Sequence, residues 1–372
     1  MTTTDAHIKL FNPGPVEVRK EILEAQAHWM IGHRGKPFEE LFARIQTKLR
    51  QVFFTQQRVY VSASSGTGLW EAAARNCVSD DPARGVLATV CGDFSERWAD
   101  VFERNGKATT VISVERGQAI TPEQVRAAIE AHGAPFDAIA IVHNETSTGV
   151  RNPLAEIVAV VKALSPDTLI LVDAVSSLAG DKIEFDRLGL DVLLTSSQKC
   201  FGLPPGLSFA AVSDRALEKA KTIKNRGYYF DFIELEAFLK KNNTPSTPAI
   251  SLLYALDQQL DDMMTEGLDN RFVRHANLAK RTQDWATEMG FGLFAAPGHA
   301  SQTITVVSNL RQIDVGALNK FLAGREMSLA DGYGTLKGKT FRIAHMADTT
   351  EAELDELLLA INDFLGRVAS RQ

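Results

Sequence analysis

Short apolar runs alternate with helical patterns along the first part of the chain. The runs at 58–62, 85–90, 109–114, 138–143, 169–173, 192–195 and 207–212 are too short for helices and rich in aliphatic residues, which predicts strands. The stretches between them, such as 67–77, 94–104, 121–131 and 153–164, carry apolar residues at helical spacing. Thr121-Pro122-Glu123 places a capping hydroxyl before a proline at the first helical position. The strands lack strict two-residue alternation, so both of their faces should be covered. Strands separated in this way by helices predict an α/β fold, with a seven-stranded, mostly parallel sheet before residue 215.

The texture changes after Tyr254. A long helical pattern covers 251–289 with a break near Gly267, followed by a strand at 302–307, a helix at 315–325, a strand at 340–345 and a helix at 351–369. The expected division is a large domain over 15–254 and a smaller C-terminal α/β domain over 255–372, with residues 1–14 as an N-terminal arm near the active site. The polar, proline-rich stretch 242–248 is the candidate for a segment that crosses to another subunit.

Composition narrows the class. A chain of 372 residues suggests about two domains. The net charge of -6 and the lack of a basic cluster argue against nucleic-acid binding. The longest apolar runs are far too short to cross a bilayer, and the first five residues lack the charged and apolar parts of a signal peptide. Cys77, Cys91 and Cys200 form no Cys-x-x-Cys pair, which fits a reducing cytoplasm. No metal site is expected.

In an open parallel sheet, ligands collect at the carboxyl ends of the strands. Several polar clusters fall at predicted strand ends. Ser62-Ala63-Ser64-Ser65-Gly66-Thr67-Gly68 reads as an anion cradle, with hydroxyls and backbone N–H groups at a helix start, or as a plain strand-to-helix turn. It contains no Gly-Lys-Ser/Thr, which argues against a nucleoside-triphosphate loop. Asp173 ends an apolar strand, where a carboxylate would pair with a protonated ring nitrogen or cap a helix. His143-Asn144-Glu145-Thr146-Ser147-Thr148-Gly149-Val150 is a dense polar loop. Lys199 follows Ser197-Gln198 after the apolar residues 192–194. An isolated lysine is usually solvated, but these surroundings suit an amine that loses its proton and forms a Schiff base. The order matters more than any single element: cradle, Phe94 after Gly92-Asp93, polar loop, Asp173, Lys199. A phosphate-bearing pyridine aldehyde needs an anion cradle, a stacking face, an acid for its ring nitrogen and an amine for its aldehyde.

With these residues the chain resembles a class V, fold type I pyridoxal-phosphate-dependent aminotransferase of the alanine–glyoxylate and serine–pyruvate group. The resemblance is carried by Asn12-Pro13-Gly14-Pro15, His33-Arg34-Gly35, Ser65-Gly66-Thr67-Gly68, Glu145-Thr146-Ser147-Thr148-Gly149, Val172-Asp173-Ala174-Val175-Ser176-Ser177, Ser197-Gln198-Lys199 and Phe341-Arg342-Ile343-Ala344-His345-Met346. It implies pyridoxal 5'-phosphate as cofactor, Lys199 as the Schiff-base lysine and proton shuttle, and Asp173 on the pyridine nitrogen. Val175 would pack under the ring, and Phe94 on its other face, where many relatives carry tryptophan. Thr146 would lie near the ring oxygen. Ser65, Gly66, Thr67 and Gln198 would hold the phosphate. Asn243 and Thr244, with Thr247 as a competing choice, would reach the cofactor phosphate of the partner subunit in a homodimer. Arg342 would clamp the substrate carboxylate, with Gly14 also at the substrate.

The implied activity is ping-pong transfer of an amino group from alanine or serine to glyoxylate or pyruvate. Phosphoserine aminotransferase is the alternative, because His33-Arg34-Gly35-Lys36 could bind a substrate phosphate; a lyase or epimerase on the same scaffold is another. Cysteine desulfurase is set aside because it needs a mobile cysteine in its later part, and none follows Cys200. A non-catalytic member kept for binding or assembly would be marked by loss of Lys199 or Asp173. Tyr228, Tyr229 and Tyr333 are candidates for substrate selection.

Overall fold

A computed structural model describes residues 7–369; the first six residues of the expected N-terminal arm and the last three of the expected C-terminal domain lie outside the described residues. The larger sheet has seven strands in the order Arg58–Ser62, Ser208–Val212, Val192–Ser196, Leu169–Asp173, Ala138–Val142, Val86–Val90 and Thr109–Ser113. Ser208–Val212 runs against both its neighbours, and all other pairings from Val192–Ser196 to Thr109–Ser113 are parallel. The strands at the middle are buried along their whole length, as in Ala138–Val142 and Leu169–Asp173.

Each central strand feeds two cores by turns. Ile139, Ile141, Ile170, Val172 and Phe209 join one core, which the helices Lys36–Val52, Leu154–Leu164 and Ile250–Glu266 cover. Ala138, Ala140, Val142, Leu169, Leu171 and Leu194 join the other, under Gly66–Cys77, Asp93–Arg104 and Asp214–Thr222. Because both faces are apolar, the sequence shows continuous aliphatic runs rather than alternation. Each fully buried aliphatic side chain contributes roughly 1.5–3 kcal/mol.

The second sheet has five strands in the order Lys9–Phe11, Met327–Asp331, Thr340–Ala344, Ile304–Ser308 and Gly292–Leu293. Leu278, Trp285, Leu318, Leu357 and Ile361 pack a third core against it. The hydrophobic pattern of the sequence predicts the strands near 304 and 340 but not Lys9–Phe11, which pairs with Met327–Asp331. Both are short and mixed in polarity; Met327–Asp331 pairs on both sides and Lys9–Phe11 completes the sheet edge beside it. The break at Gly267 is present, between Ile250–Glu266 and Leu268–Glu288. Among the described residues no helix is long and apolar enough to cross a membrane.

One buried ionic knot ties these parts to the strand-end loops. Arg271, 1% exposed, donates to Asp348 at 2.7 Å, to Glu266 at 2.9 Å, to Ala179 O at 3.0 Å and to Cys200 O at 2.9 Å. Arg19 Nε reaches the other Asp348 oxygen at 2.8 Å. Burial alone would raise the Asp348 carboxyl, but Arg271 and Arg19 overcome it and hold the group well below the usual carboxylate range. Removing one member of such a network leaves buried charge uncompensated. Arg271→Met should therefore cost about 3 kcal/mol or more in urea unfolding; a loss within about 0.5 kcal/mol, typical of surface changes, would show the knot to be dispensable.

Candidate active site

The carboxyl ends of Arg58–Ser62, Leu169–Asp173 and Val192–Ser196 lie at one end of the sheet, and the reversed strand brings Ser208 to the same end, opposite both Ser62 and Ser196. Asp173 is buried there, 4% exposed. Its Oδ1 accepts from Val175 N at 2.7 Å and its Oδ2 from Trp70 Nε1 at 2.8 Å. Burial pushes its pKa up to about 7 despite these two donors. No helix starts at Asp173, so the helix-cap alternative gives way: the side chain closes a turn instead.

Lys199 stands on the turn after Val192–Ser196. Its Nζ donates to Pro13 O. Burial, aided by the nearby positive charge of Arg342, lowers its pKa to about 8. Val16 N donates to Gln198 O at 3.2 Å, which fixes the 13–16 segment across the lysine. Gly14 has φ +134°, and a Cβ there would sit 2.7 Å from Lys199 Cε and closer still to the amine. A side chain at position 14 would thus be both strained and in the way.

The cradle segment forms the start of Gly66–Cys77. Ser65 occupies the cap position without a side-chain cap bond, and while Gly68 N donates to Ser65 O at 3.0 Å, the N–H groups of Gly66 and Thr67 are left for another acceptor. A Cβ at Gly66 would lie 2.6 Å from Val175 Cγ2 and 3.6 Å from Ser196 Oγ, so Val175, Gly66 and Ser196 are neighbours. Ser62 Oγ, Ser196 Oγ and Gln198 Oε1 are buried without a hydrogen-bond partner. Buried polar atoms left this way cost about 1–3 kcal/mol each, so they mark a place built for a polar ligand. An unclaimed helix start, orphaned hydroxyls, a buried acid and a readily deprotonated amine are the donor set a phosphate-bearing pyridine aldehyde fits.

Phe94 opens the helix Asp93–Arg104, whose start is capped by Glu145 from the polar loop. Glu145 is fully buried and accepts from Phe94 N, Ser95 N, Ser95 Oγ and Ser147 Oγ at 3.3, 2.9, 2.8 and 2.6 Å. Gly92 allows that approach, since a Cβ there would meet Glu145 Cγ at 2.5 Å. Thr146 Oγ1 donates to Ser176 Oγ at 2.8 Å. The Phe94 ring lies 5.1 Å from that of Tyr333, and Arg97 donates to Tyr333 Oη at 2.6 Å. The Arg342 guanidinium lies 5.4 Å from the Tyr333 ring. Its Nε is held by Asp331 O at 3.0 Å, while among the described residues its two terminal nitrogens have no hydrogen-bond partner. Burial lowers its pKa. A buried fork with free ends is suited to a carboxylate.

Asn243 and Thr244 make no hydrogen bond to Lys199, Asp173 or the cradle among the described residues. Arg34 grips them instead, donating to Asn243 Oδ1 at 2.7 Å, Thr244 O at 2.6 Å and Pro245 O at 2.9 Å. Thr247 lies in the same segment, beside Ser62 and Ala63. Tyr228 and Tyr229 are exposed and Tyr333 is half-buried. Sequence reasoning missed Trp70 and Arg97. Trp70 stands one helical turn after Gly66, a spacing that shares a face, but nothing local shows what it meets.

The family described as Aminotransferase class-V matches residues 18–357. An uncharacterized aminotransferase of Methanocaldococcus jannaschii is 37% identical over 350 residues, covering 93% of this chain and 89% of its own. Serine–glyoxylate aminotransferase of Arabidopsis thaliana is 32% identical, covering 93% of this chain and 87% of its own. The crystal structure of alanine–glyoxylate aminotransferase from Nostoc sp. superposes with a TM-score of 0.89 at 30% identity, covering 96% of this chain and 95% of the other.

Two outcomes follow from the geometry. Reductive methylation of Lys199, followed by mass spectrometry in the protein freed of carbonyl ligands, should rise through a midpoint at about pH 8, because the free amine predominates above its pKa; a midpoint at the ordinary 10.5 would contradict the burial argument. Gly14→Ala should lower turnover by about 100-fold through displacement of the amine, a loss typical of misplacement by about an ångström, and unchanged turnover would show that the 13–16 segment leaves the lysine free.

Proposed function

The chain belongs to the class V aminotransferase family, and from that premise we propose that it moves an amino group from a small amino acid, alanine or serine, to glyoxylate or pyruvate by a ping-pong route on pyridoxal 5'-phosphate. The observation that carries this reading is the nearness of Lys199 to both Asp173 and Arg342, whose fork is free. Ser65, Gly66, Thr67 and Gln198 would hold the phosphate, Val175 and Phe94 would pack against the ring, Thr146 would border it and Asp173 would receive the ring N–H. When bound, the cofactor supplies an electron sink for the bonds at the substrate Cα.

The protein's own residues do the rest. Arg342 binds the substrate carboxylate in two parallel hydrogen bonds and so turns Cα toward Lys199. Lys199 Nζ takes the Cα proton; with its pKa at about 8, it is a competent base near neutral pH. Gly14 and Pro13 cover the amine and limit water at it. In this reading 15–254 would hold the cofactor and 255–372 would bring the clamp. A small donor accords with the amino acids named for the serine–glyoxylate and alanine–glyoxylate relatives.

A homodimer completes the reading. Trp29 is 94% exposed and Met30 64%, an apolar pair of the kind that marks an interface, and His33-Arg34 follow directly. Arg34 presents the segment with Asn243, Thr244 and Thr247 to the partner's cofactor phosphate. Because Arg34 is spent on Asn243, Thr244 and Pro245, it favours an unphosphorylated substrate over phosphoserine. Three buried free thiols, Cys77, Cys91 and Cys200, accord with the cytoplasm.

A donor-by-acceptor matrix tests the proposal. Alanine or serine with glyoxylate should turn over best, and 3-phosphohydroxypyruvate should be a poor acceptor; no transfer from either donor to glyoxylate or pyruvate removes the reading. The purified enzyme should be yellow, borohydride should fix the cofactor onto Lys199, and Lys199→Ala should lose more than about 10⁴-fold in rate.

A further inference from the structure

The helix Gly66–Cys77 starts at the cradle and carries Trp70 one turn further on. Trp70 is 3% exposed, and its only polar atom, Nε1, is spent on Asp173 Oδ2 at 2.8 Å. Val175 N occupies Oδ1 at 2.7 Å. Each oxygen of a carboxylate accepts about two hydrogen bonds, so one position on each stays open. The indole is itself held in place: it stacks on Trp98 with centroids 6.2 Å apart and planes 21° from parallel, and Trp98 packs on Phe102 at 5.6 Å. The N–H therefore cannot swing away without disturbing that aromatic stack.

We propose that Trp70 is a positioning residue of the reaction: its indole N–H fixes the plane of Asp173 and holds that carboxylate in the ionised form, and its place on the cradle's own helix sets the acid and the anion site at a constant separation. The cradle is the first turn of this helix and Trp70 the second, so one rigid element addresses both ends of a ligand that carries phosphate at one end and a basic nitrogen at the other. Hydrogen bonds to a carboxylate favour its charged form. Burial already pushes Asp173 up to about 7 with both donors in place. Losing one of them would leave the acid neutral at pH 7, and a neutral acid holds a protonated ring nitrogen poorly. Glu145 and Lys199 also act on Asp173, in opposite directions, and neither donates a hydrogen bond to it.

The nature of the ligand rests on the proposed function; the coupling of Trp70 to Asp173 does not. The test uses the cofactor-free full-length protein and the infrared carboxylic C=O band that Asp173→Asn abolishes. In the wild type this band should titrate near pH 7. In Trp70→Phe the midpoint should rise by about one to two pH units, the tenfold-to-hundredfold shift expected when a hydrogen bond to a charged group is lost. Trp98→Phe keeps an aromatic ring in the stack and leaves the Trp70 indole N–H in place, and its midpoint should stay with the wild type. An unmoved midpoint in Trp70→Phe, or an equal shift in Trp98→Phe, overturns the proposal. Should Trp70→Phe fail to fold, the wild-type indole emission decides: it must change at the same pH as the infrared band, and a flat profile overturns the coupling. In a second arm, pyridoxal 5'-phosphate should bind Trp70→Phe about ten- to a hundredfold more weakly than wild type, and equal affinity contradicts the positioning role. If the wild type takes up no pyridoxal 5'-phosphate, the proposed function fails, while the infrared titration still judges Trp70 and Asp173.

Discussion

Two groups of opposite charge, the buried Asp173 and the half-buried Lys199, lie near each other without an ion pair between them. Desolvation draws both toward neutrality, the acid up to about 7 and the amine down to about 8. A fold that only had to be stable would pair such groups or expose them. Here each is held by neutral donors or acceptors, Trp70 and Val175 for the acid and Pro13 for the amine. In the proposed function their charge partners come from the ligand. Much of the surrounding structure follows from that demand, from the orphaned hydroxyls of Ser62 and Ser196 to the capless start of Gly66–Cys77.

The two sheets meet around this pair in two different ways. On one side Phe94 and Arg97 from the larger sheet's helix engage Tyr333, which lies over Arg342 from the smaller sheet. On the other side Arg271 reaches Cys200 O, next to Lys199, and pairs with Asp348 just beyond Arg342's strand. The first contact is aromatic and partly open, with the fork of Arg342 free. The second is buried and fully hydrogen-bonded. In the proposed function, the buried joint behind the lysine and the open one in front would let the substrate carboxylate be gripped without loosening the base that acts on the same molecule.

Local signals made the architecture legible. Seven aliphatic runs separated by helical patterns are seven strands of one sheet, because a strand covered on both faces must be apolar throughout. The candidate residues at strand ends were legible for the same reason: polar residues directly after such runs must lie at the sheet's edge. Lys9–Phe11 and Met327–Asp331 were not legible, since three- and five-residue strands of mixed polarity are stabilised by their partners rather than by a pattern of their own. Trp70 carries no local signal beyond its place in a helical stretch, and His33-Arg34-Gly35-Lys36 reads as a possible phosphate binder although Arg34 is spent on the 243–245 segment. Their partners, Asp173 and the 243–245 segment, lie far away along the chain.

The sequence by itself determined the α/β class, the order of the chemical groups and the family, because each of these is written in short contiguous stretches. Only the tertiary structure decided that Pro13 and Gly14 close over Lys199, that Trp70 claims one oxygen of Asp173, and that Arg34 is consumed within the chain. Those facts depend on strand order and on the one reversed strand, which bring together residues more than a hundred positions apart. No local propensity encodes such pairings; they arise only when the two cores are packed and each buried polar group must find a partner or be left for a ligand.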